Sequence, residues 1–237
     1  IHASASVGIA VADEGATPES LLRDADAAMY RAKATGKARH VVFDADLRHR
    51  ALQRLDTESA LRRGTGLREF VLHYQPEVHL DSGGVVGVEA LVRWDHPDDG
   101  LTLPATFLPI AEETGIIVAI GEQVVDQACT QAAAWQQRLG DRAPTVWINL
   151  SARQLASPSL PDVLGAAVET HGLSAETIGV EITETDIVPD DERSALTMRR
   201  LTELGHPIAI DDFGTGFASL SYLWRFPAAV IKIDQAF

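Results

Sequence analysis

The sequence predicts an α/β fold: a barrel of parallel strands wrapped by helices, opened by one antiparallel strand. Three observations predict it. From residue 85 onward, strand-like and helix-like stretches alternate, which implies parallel strands joined by crossover helices. Four of the helical stretches stop at Gly115, Gly140, Gly172 and Gly205, and glycine just past a helix end is the usual stop signal. The strands near 69–79 and 85–94 are joined by Asp81-Ser82-Gly83-Gly84, too short for a crossover, so that pair must be antiparallel.

The elements follow in order. Ser4 to Val11 alternates and is rich in small and β-branched residues, which predicts a strand. Pro18 to Lys33 predicts a helix, because Leu21, Leu22, Ala25, Ala28, Met29 and Ala32 form an apolar stripe at helical spacing, and Gly36 stops it. His40 to Phe43 is a second short strand. Residues 1–43 are too few to bury a core of their own and are expected to be a fragment of a domain. The chain opens in strand-like sequence without Met, as a piece of a longer protein would. Asp44 to Arg63 is a charged helical stretch with Leu47, Leu52, Leu55 and Leu61 on one stripe. It reads as a connecting helix over 44–66, ended by Gly64-Thr65-Gly66. Residues 67–237 form the main domain, with strands near 69–79, 85–94, 145–151, 177–184, 207–213 and 228–234 and helices over 104–114, 119–139, 161–171 and 191–204. A barrel of this type usually has eight strands, so about six of the eight are expected here.

Composition agrees with a folded domain. Of 237 residues, 46% are hydrophobic and 23% charged, and the formal net charge is −14. Acidity of that size argues against binding DNA or RNA duplexes. It leaves room for one small anionic ligand, because bound cations reverse the local sign. Cys129 is the single cysteine and lies in an apolar run, so it reads as a buried core thiol in a reducing compartment. No apolar run approaches a membrane span, and the first residues carry no secretion signal. A cytoplasmic location is expected, with any membrane anchor lying in upstream segments of the parent.

The strand interiors carry the chemistry. Parallel strands covered on both faces should be almost purely apolar. Here each holds a polar residue near its C-terminal end: Glu89, Asn149, Glu181, the pair Asp211-Asp212, and Lys232. Alternation places Trp147, Asn149 and Ser151 on one face, Glu181 and Thr183 on one face with Glu184 opposite, and Lys232 with Asp234. If those faces line a barrel, the polar groups meet at its C-terminal mouth, where barrel active sites lie. Several carboxylates so close must raise one another's pKa or recruit a cation. Oxygen ligands from Asp, Glu and Asn suit hard ions such as Mg²⁺ or Mn²⁺, and two ions roughly 4 Å apart promote in-line attack on a phosphodiester. Lys232 would add positive charge beside the phosphate or the attacking water. One buried Glu or Asn is more often a satisfied structural group, and Asp211-Asp212 alone could be a cap. Five such residues at equivalent strand positions are poorly explained that way. His73, His79, His96 and His206 show no metal-ligand spacing and read as structural.

These residues resemble a known family. Glu89-Ala90-Leu91-Val92-Arg93-Trp94 is similar to the signature of EAL domains, the cyclic di-GMP phosphodiesterases. Tyr74-Gln75-Pro76, Pro104 to Gly115, Asn149-Leu150-Ser151 with Gln154, Glu181-Ile182-Thr183-Glu184, Asp211-Asp212-Phe213-Gly214-Thr215-Gly216 and Lys232-Ile233-Asp234 follow in the family's order, from about residue 50 to the end. The resemblance implies a modified TIM-type barrel with one antiparallel strand and hydrolysis of cyclic di-GMP to linear pGpG with Mg²⁺ or Mn²⁺ in a two-metal site. It implies metal binding by Glu89, Asn149, Glu181, Asp211 and Asp212, and a catalytic part for Lys232 and Asp212. Glu184 would anchor the 213–217 loop that couples dimer contacts to the metals, so a homodimer is expected. Gln75, Leu91 and Arg93 would meet the dinucleotide. Residues 1–43 resemble the tail of a GGDEF (diguanylate cyclase-like) domain, through Ser6-Val7-Gly8-Ile9-Ala10, Leu21 to Tyr30 and Ala32-Lys33, so upstream GGDEF and sensor domains are expected in the parent. Phe217-Ala218 stands where the family often has Tyr-Ser. The family's last two strands, which carry a further Glu and Gln of the site, find no counterpart in the 237 residues, and the chain as written is expected to be weakly active or inactive and poorly stable. The alternative function is a non-catalytic cyclic di-GMP receptor, against which the retained ligand set argues.

Overall fold

The computed structural model describes residues 4–12, 16–43, 45–186, 192–214 and 228–236. They divide into two compact units, 1–60 and 61–237.

In the first unit, β1 (Val7–Ile9) and β2 (His40–Val42) pair in parallel, and α1 (Pro18–Ala34) packs against them. Thr17 and Ser20 form a reciprocal capping box and Pro18 occupies the first turn, which satisfies N–H groups that a helix start would leave bare. Gly8 is fixed by close approach: a Cβ there would collide with the Ala25 carbonyl and the Met29 amide of α1.

Helix α2 (Ala45–Leu67) runs further than its glycines suggest. Gly64, Thr65 and Gly66 lie inside it rather than ending it. The left-handed residue is Arg68, at φ 56°, and the Glu69 amide closes the helix on the Gly64 carbonyl at 3.1 Å. Gly64 is small for a packing reason, since a Cβ would sit 2.8 Å from the Glu69 carboxylate and 3.1 Å from the Trp94 indole nitrogen. Of the expected leucine stripe, Leu61 is buried and Leu55 is exposed, while the side chains of Leu47 and Leu52 fall outside the described set.

The second unit holds one mixed sheet in the order β3-β4-β6-β7-β8-β9. Strands β3 (Phe70–Val78) and β4 (Val85–His96) are antiparallel through the turn at 81–84. Strands β6 (Thr145–Asn149), β7 (Ile178–Thr183), β8 (Ile208–Phe213) and β9 (Val230–Ile233) continue from β4 in parallel. That is the expected antiparallel first strand followed by five in parallel order. Helices α3 (Pro104–Thr114), α4 (Ile117–Leu139), α6 (Leu160–Thr170) and α7 (Glu192–Glu203) fill the crossovers, the first ending on left-handed Gly115. Apolar side chains at alternate positions, among them Val146, Ile148, Val180, Ile182, Ile208 and Ile210, are buried. Phe70, Trp94 and Phe107 stack into an aromatic cluster between β3, β4 and α3. No helix among the described residues is long and apolar enough to cross a membrane.

Two elements escape the sequence pattern. Strand β5 (Gly100–Thr102) folds back on β4, and helix α5 (Ala152–Leu155) interrupts the strand expected to reach 151. The Ser151 hydroxyl and the Gln154 amide cap each other across the first turn of α5, so the capping box takes Ser151 off the sheet.

Candidate active site

The parallel register keeps the polar strand residues on one face in two-residue steps: Glu89 pairs with Trp147, two residues before Asn149, Asn149 pairs with Glu181, and Asp211 pairs with Thr183, two residues past Glu181. One oxygen each of Glu89, Glu181 and Asp211 lies within 4.8 Å of the other two. Beneath them Trp147 is buried across two glycines: a Cβ on Gly179 would collide with its ring, and one on Gly87 would come within 2.9 Å of its indole nitrogen. These glycines let a Trp floor the cluster.

Lys232 reaches into the group from β9. Its Nζ donates to Glu181 Oε1 at 2.7 Å and Glu89 Oε2 at 3.3 Å, and Glu77 Oε1 stands 3.3 Å away. Asn149 Nδ2 donates to Glu89 Oε1 at 2.7 Å. An amide carries donor and acceptor together, so this side chain can steady Glu89 and still offer an oxygen to an ion.

Burial dominates the electrostatics. Glu181 is fully buried and pushed up to about 7; Lys232 and its hydrogen bond pull against that rise, while Glu89 and Asp211 add to it. Burial alone would lower the Lys232 ammonium, but the hydrogen bond and charge of Glu181, with Glu89 and Asp211, hold it raised. Glu181 Oε2 is buried and finds no hydrogen-bond partner among the described residues. A bare carboxylate oxygen in the interior is costly, and a cation is the group that would satisfy it. The donor set is all oxygen and strongly anionic, which fits a hard divalent metal.

Asp212 stands beside this cluster, where strict alternation would turn it away. The pairing of β8 with β9 slips by one residue between Ile210 and Phe213, and Asp212 adopts φ 52°, a left-handed bulge. Its carboxyl is raised by burial, then by Asp211 and by Asp234, with which it shares a hydrogen bond. Glu184 is buried on the other side of β7, and its Oε2 accepts from the Gly214 amide at 2.7 Å, at the root of the loop after β8. The rest of that loop, Thr215 to Ala218 included, lies outside the described residues.

The three expected ligand-contact residues share the cluster's sheet face without joining it. Gln75 is exposed and pairs directly with Glu89. Leu91 and Arg93 follow Glu89 at alternate positions of β4, both half-buried, and Arg93 Nη1 donates to the Val92 carbonyl at 2.8 Å. Among the histidines, His206 is buried against the Ile178 carbonyl and His96 receives the Asp98 and Asp99 amides, as structural groups do. His73 and His79 are exposed. Sequence reasoning missed Glu77. It shares the cluster's face through its pairing with Gly87, but a Glu near the end of an edge strand carries no signal of its own.

Residues 58–237 match the family model described as EAL domain, and residues 1–39 match that of the diguanylate cyclase, GGDEF domain. The chain belongs to the EAL domain family. Among curated relatives of this EAL chain, the bifunctional diguanylate cyclase/cyclic di-GMP phosphodiesterase MucR of Pseudomonas aeruginosa is 42% identical, over 100% of this chain and 35% of its own length. The cyclic di-GMP phosphodiesterase PdeR of Escherichia coli is 37% identical, over 100% of this chain and 36% of its own length. The chain thus spans about a third of each of these relatives. Among solved structures, that of the PaMucR phosphodiesterase in complex with c-di-GMP is 43% identical, covering 76% of this chain and 73% of that one at a TM-score of 0.72. The EAL enzyme Bd1971 bound to cAMP and cyclic-di-GMP is 29% identical, covering 94% of this chain and 58% of that one at a TM-score of 0.74.

Proposed function

We propose that this chain carries the hydrolytic site of a bacterial second-messenger protein, which opens cyclic di-GMP to linear pGpG with Mg²⁺ or Mn²⁺. The observation that carries the reading is the meeting of Glu89, Glu181 and Asp211 within 4.8 Å, on separate parallel strands, together with a buried Glu181 oxygen that has no hydrogen-bond partner among the described residues. Two bound ions would supply an activated water and neutralise the charge that develops on the phosphate.

The protein's own residues do the rest. Glu89, Asn149, Glu181, Asp211 and Asp212 hold the ions, the last two admitted side by side through the bulge. Lys232 would keep a positive charge beside the attacking water and the phosphate. Glu184 grips the Gly214 amide and steadies the loop root next to Asp212. Gln75, Leu91 and Arg93 lie along one face leading away from Glu89, where an extended dinucleotide would lie, with Arg93 for a phosphate. Homodimerisation and upstream GGDEF and sensor domains belong to the same proposal, as does a cytoplasmic setting, which the single buried Cys129 suits. Retention of this ligand set favours hydrolysis over simple reception. Chromatography of cyclic di-GMP incubated with the chain and Mn²⁺ is expected to show pGpG, abolished by chelator. Binding of the dinucleotide without product at any metal concentration, by this chain and by the chain extended with the family's last two strands, would replace the enzyme with a receptor.

A further inference from the structure

Glu77 is not used by the metal reading, yet it is built into the site. Its Oε1 lies 3.3 Å from Lys232 Nζ, and its side chain is only 31% exposed although β3 is the antiparallel strand at the sheet edge. Its seat is specific. Glu77 pairs with Gly87, and a Cβ there would fall 2.5 Å from Glu77 Oε2, so the missing side chain is what lets the carboxylate lie along the sheet face. Immediately after Glu77 the β3–β4 register shifts, so the strand departs from regular pairing just past this residue.

The three carboxylates around Lys232 are not equivalent. Glu89 and Glu181 also form the cluster with Asp211 that fits a cation, whereas Glu77 lies outside it. An ammonium and a divalent ion repel, and they compete for the same carboxylate oxygens. As Glu89 and Glu181 turn to an ion, Lys232 loses its other two carboxylate contacts among the described residues. We propose that Glu77 is a positioning residue for Lys232: it retains the ammonium at the edge of the site when metal takes Glu89 and Glu181, so that Lys232 yields those oxygens without leaving. The proposal rests on the metal-dependent reading above and adds to it a residue outside the ligand set.

The test is a double-mutant cycle on metal affinity, which needs no turnover. Mn²⁺ binding is measured by titration calorimetry on the unsubstituted chain, E77Q, K232M and the double variant. E77Q is expected to weaken Mn²⁺ binding by about three- to tenfold, because Lys232 then competes for Glu89 and Glu181 with no third partner. In the K232M background the same substitution should change Mn²⁺ affinity little, and E77D should recover most of the loss. Glu77→Ala removes the same contact, should reproduce the E77Q loss, and serves as the test should E77Q fold poorly. A loss of equal size with and without Lys232, or no loss at all, overturns the proposal while leaving the proposed function standing. An unsubstituted chain that binds no Mn²⁺ overturns both.

Discussion

Replacing Lys232 with Met removes the positive charge that balances the cluster when no metal is present. The Glu181 contact is the expensive one: it is 2.7 Å long and its carboxylate is fully buried. Breaking a buried pair by deleting one partner costs about 3–5 kcal/mol. The contacts to Glu89 and Glu77, whose side chains are 18% and 31% exposed, add at most about 1 kcal/mol each after solvent screening. K232M in chelator should therefore lose about 4 kcal/mol at pH 8, read by urea denaturation. The loss should shrink toward pH 5.5. Glu181 has its folded pKa, about 7, above its ordinary 4.5, so its contribution is fully present below the lower value and lost as pH rises through the higher. A neutral Glu181 needs no counter-ion, and K232M then gives up only the partly exposed pairs. Millimolar Mn²⁺ should restore the variant at pH 8 by binding the folded state alone. A K232M chain as stable as the parent in chelator at pH 8 would refute the reasoning, because Lys232 would then not be the internal counter-ion.

Other predictions follow from neighbouring residues. In chelator, the parent chain should itself lose stability between pH 5 and pH 8 through Glu181, by roughly 3 kcal/mol for a rise from 4.5 to about 7, and E181Q should flatten that slope in thermal melts. Gly179→Ala forces a Cβ into the Trp147 ring and should cost about 1–3 kcal/mol in denaturant melts, with weaker Mn²⁺ binding as the floor tilts. Glu184→Ala should speed amide exchange at Gly214 at least tenfold, since the 2.7 Å bond to its carboxylate is lost, while exchange in β6 stays unchanged.

Much of the fold was legible because its signals are local. Gly115 marks a helix end by its left-handed backbone, and Asp81 to Gly84 is too short for anything but a hairpin. Glu89, Asn149, Glu181 and Lys232 stood out because a polar residue in an otherwise apolar parallel strand has to be explained. Where two local signals competed, the reading failed. Gly64 and Gly66 looked like a stop but sit inside α2, Gly64 kept small by Glu69 and by Trp94, the latter arriving from β4 where no local pattern could show it. Ser151 continued the β6 alternation, yet its capping box with Gln154 won and opened α5. Asp211 and Asp212 could be named as a pair, but not the bulge at Asp212, since a one-residue slip depends on the partner strand. Glu77 was invisible for the same reason: its role exists only through Gly87 beside it and Lys232 arriving from β9.

In the proposed function, Glu89, Glu181 and Asp211 form a metal centre for which Lys232 substitutes when metal is absent. The decisive measurement is anomalous diffraction at the manganese edge from crystals grown with Mn²⁺. The expected result is an anomalous peak bounded by those three carboxylates and Asn149, with Lys232 withdrawn from Glu181 and still beside Glu77. Manganese bound elsewhere, with the Lys232–Glu181 contact intact, would contradict it.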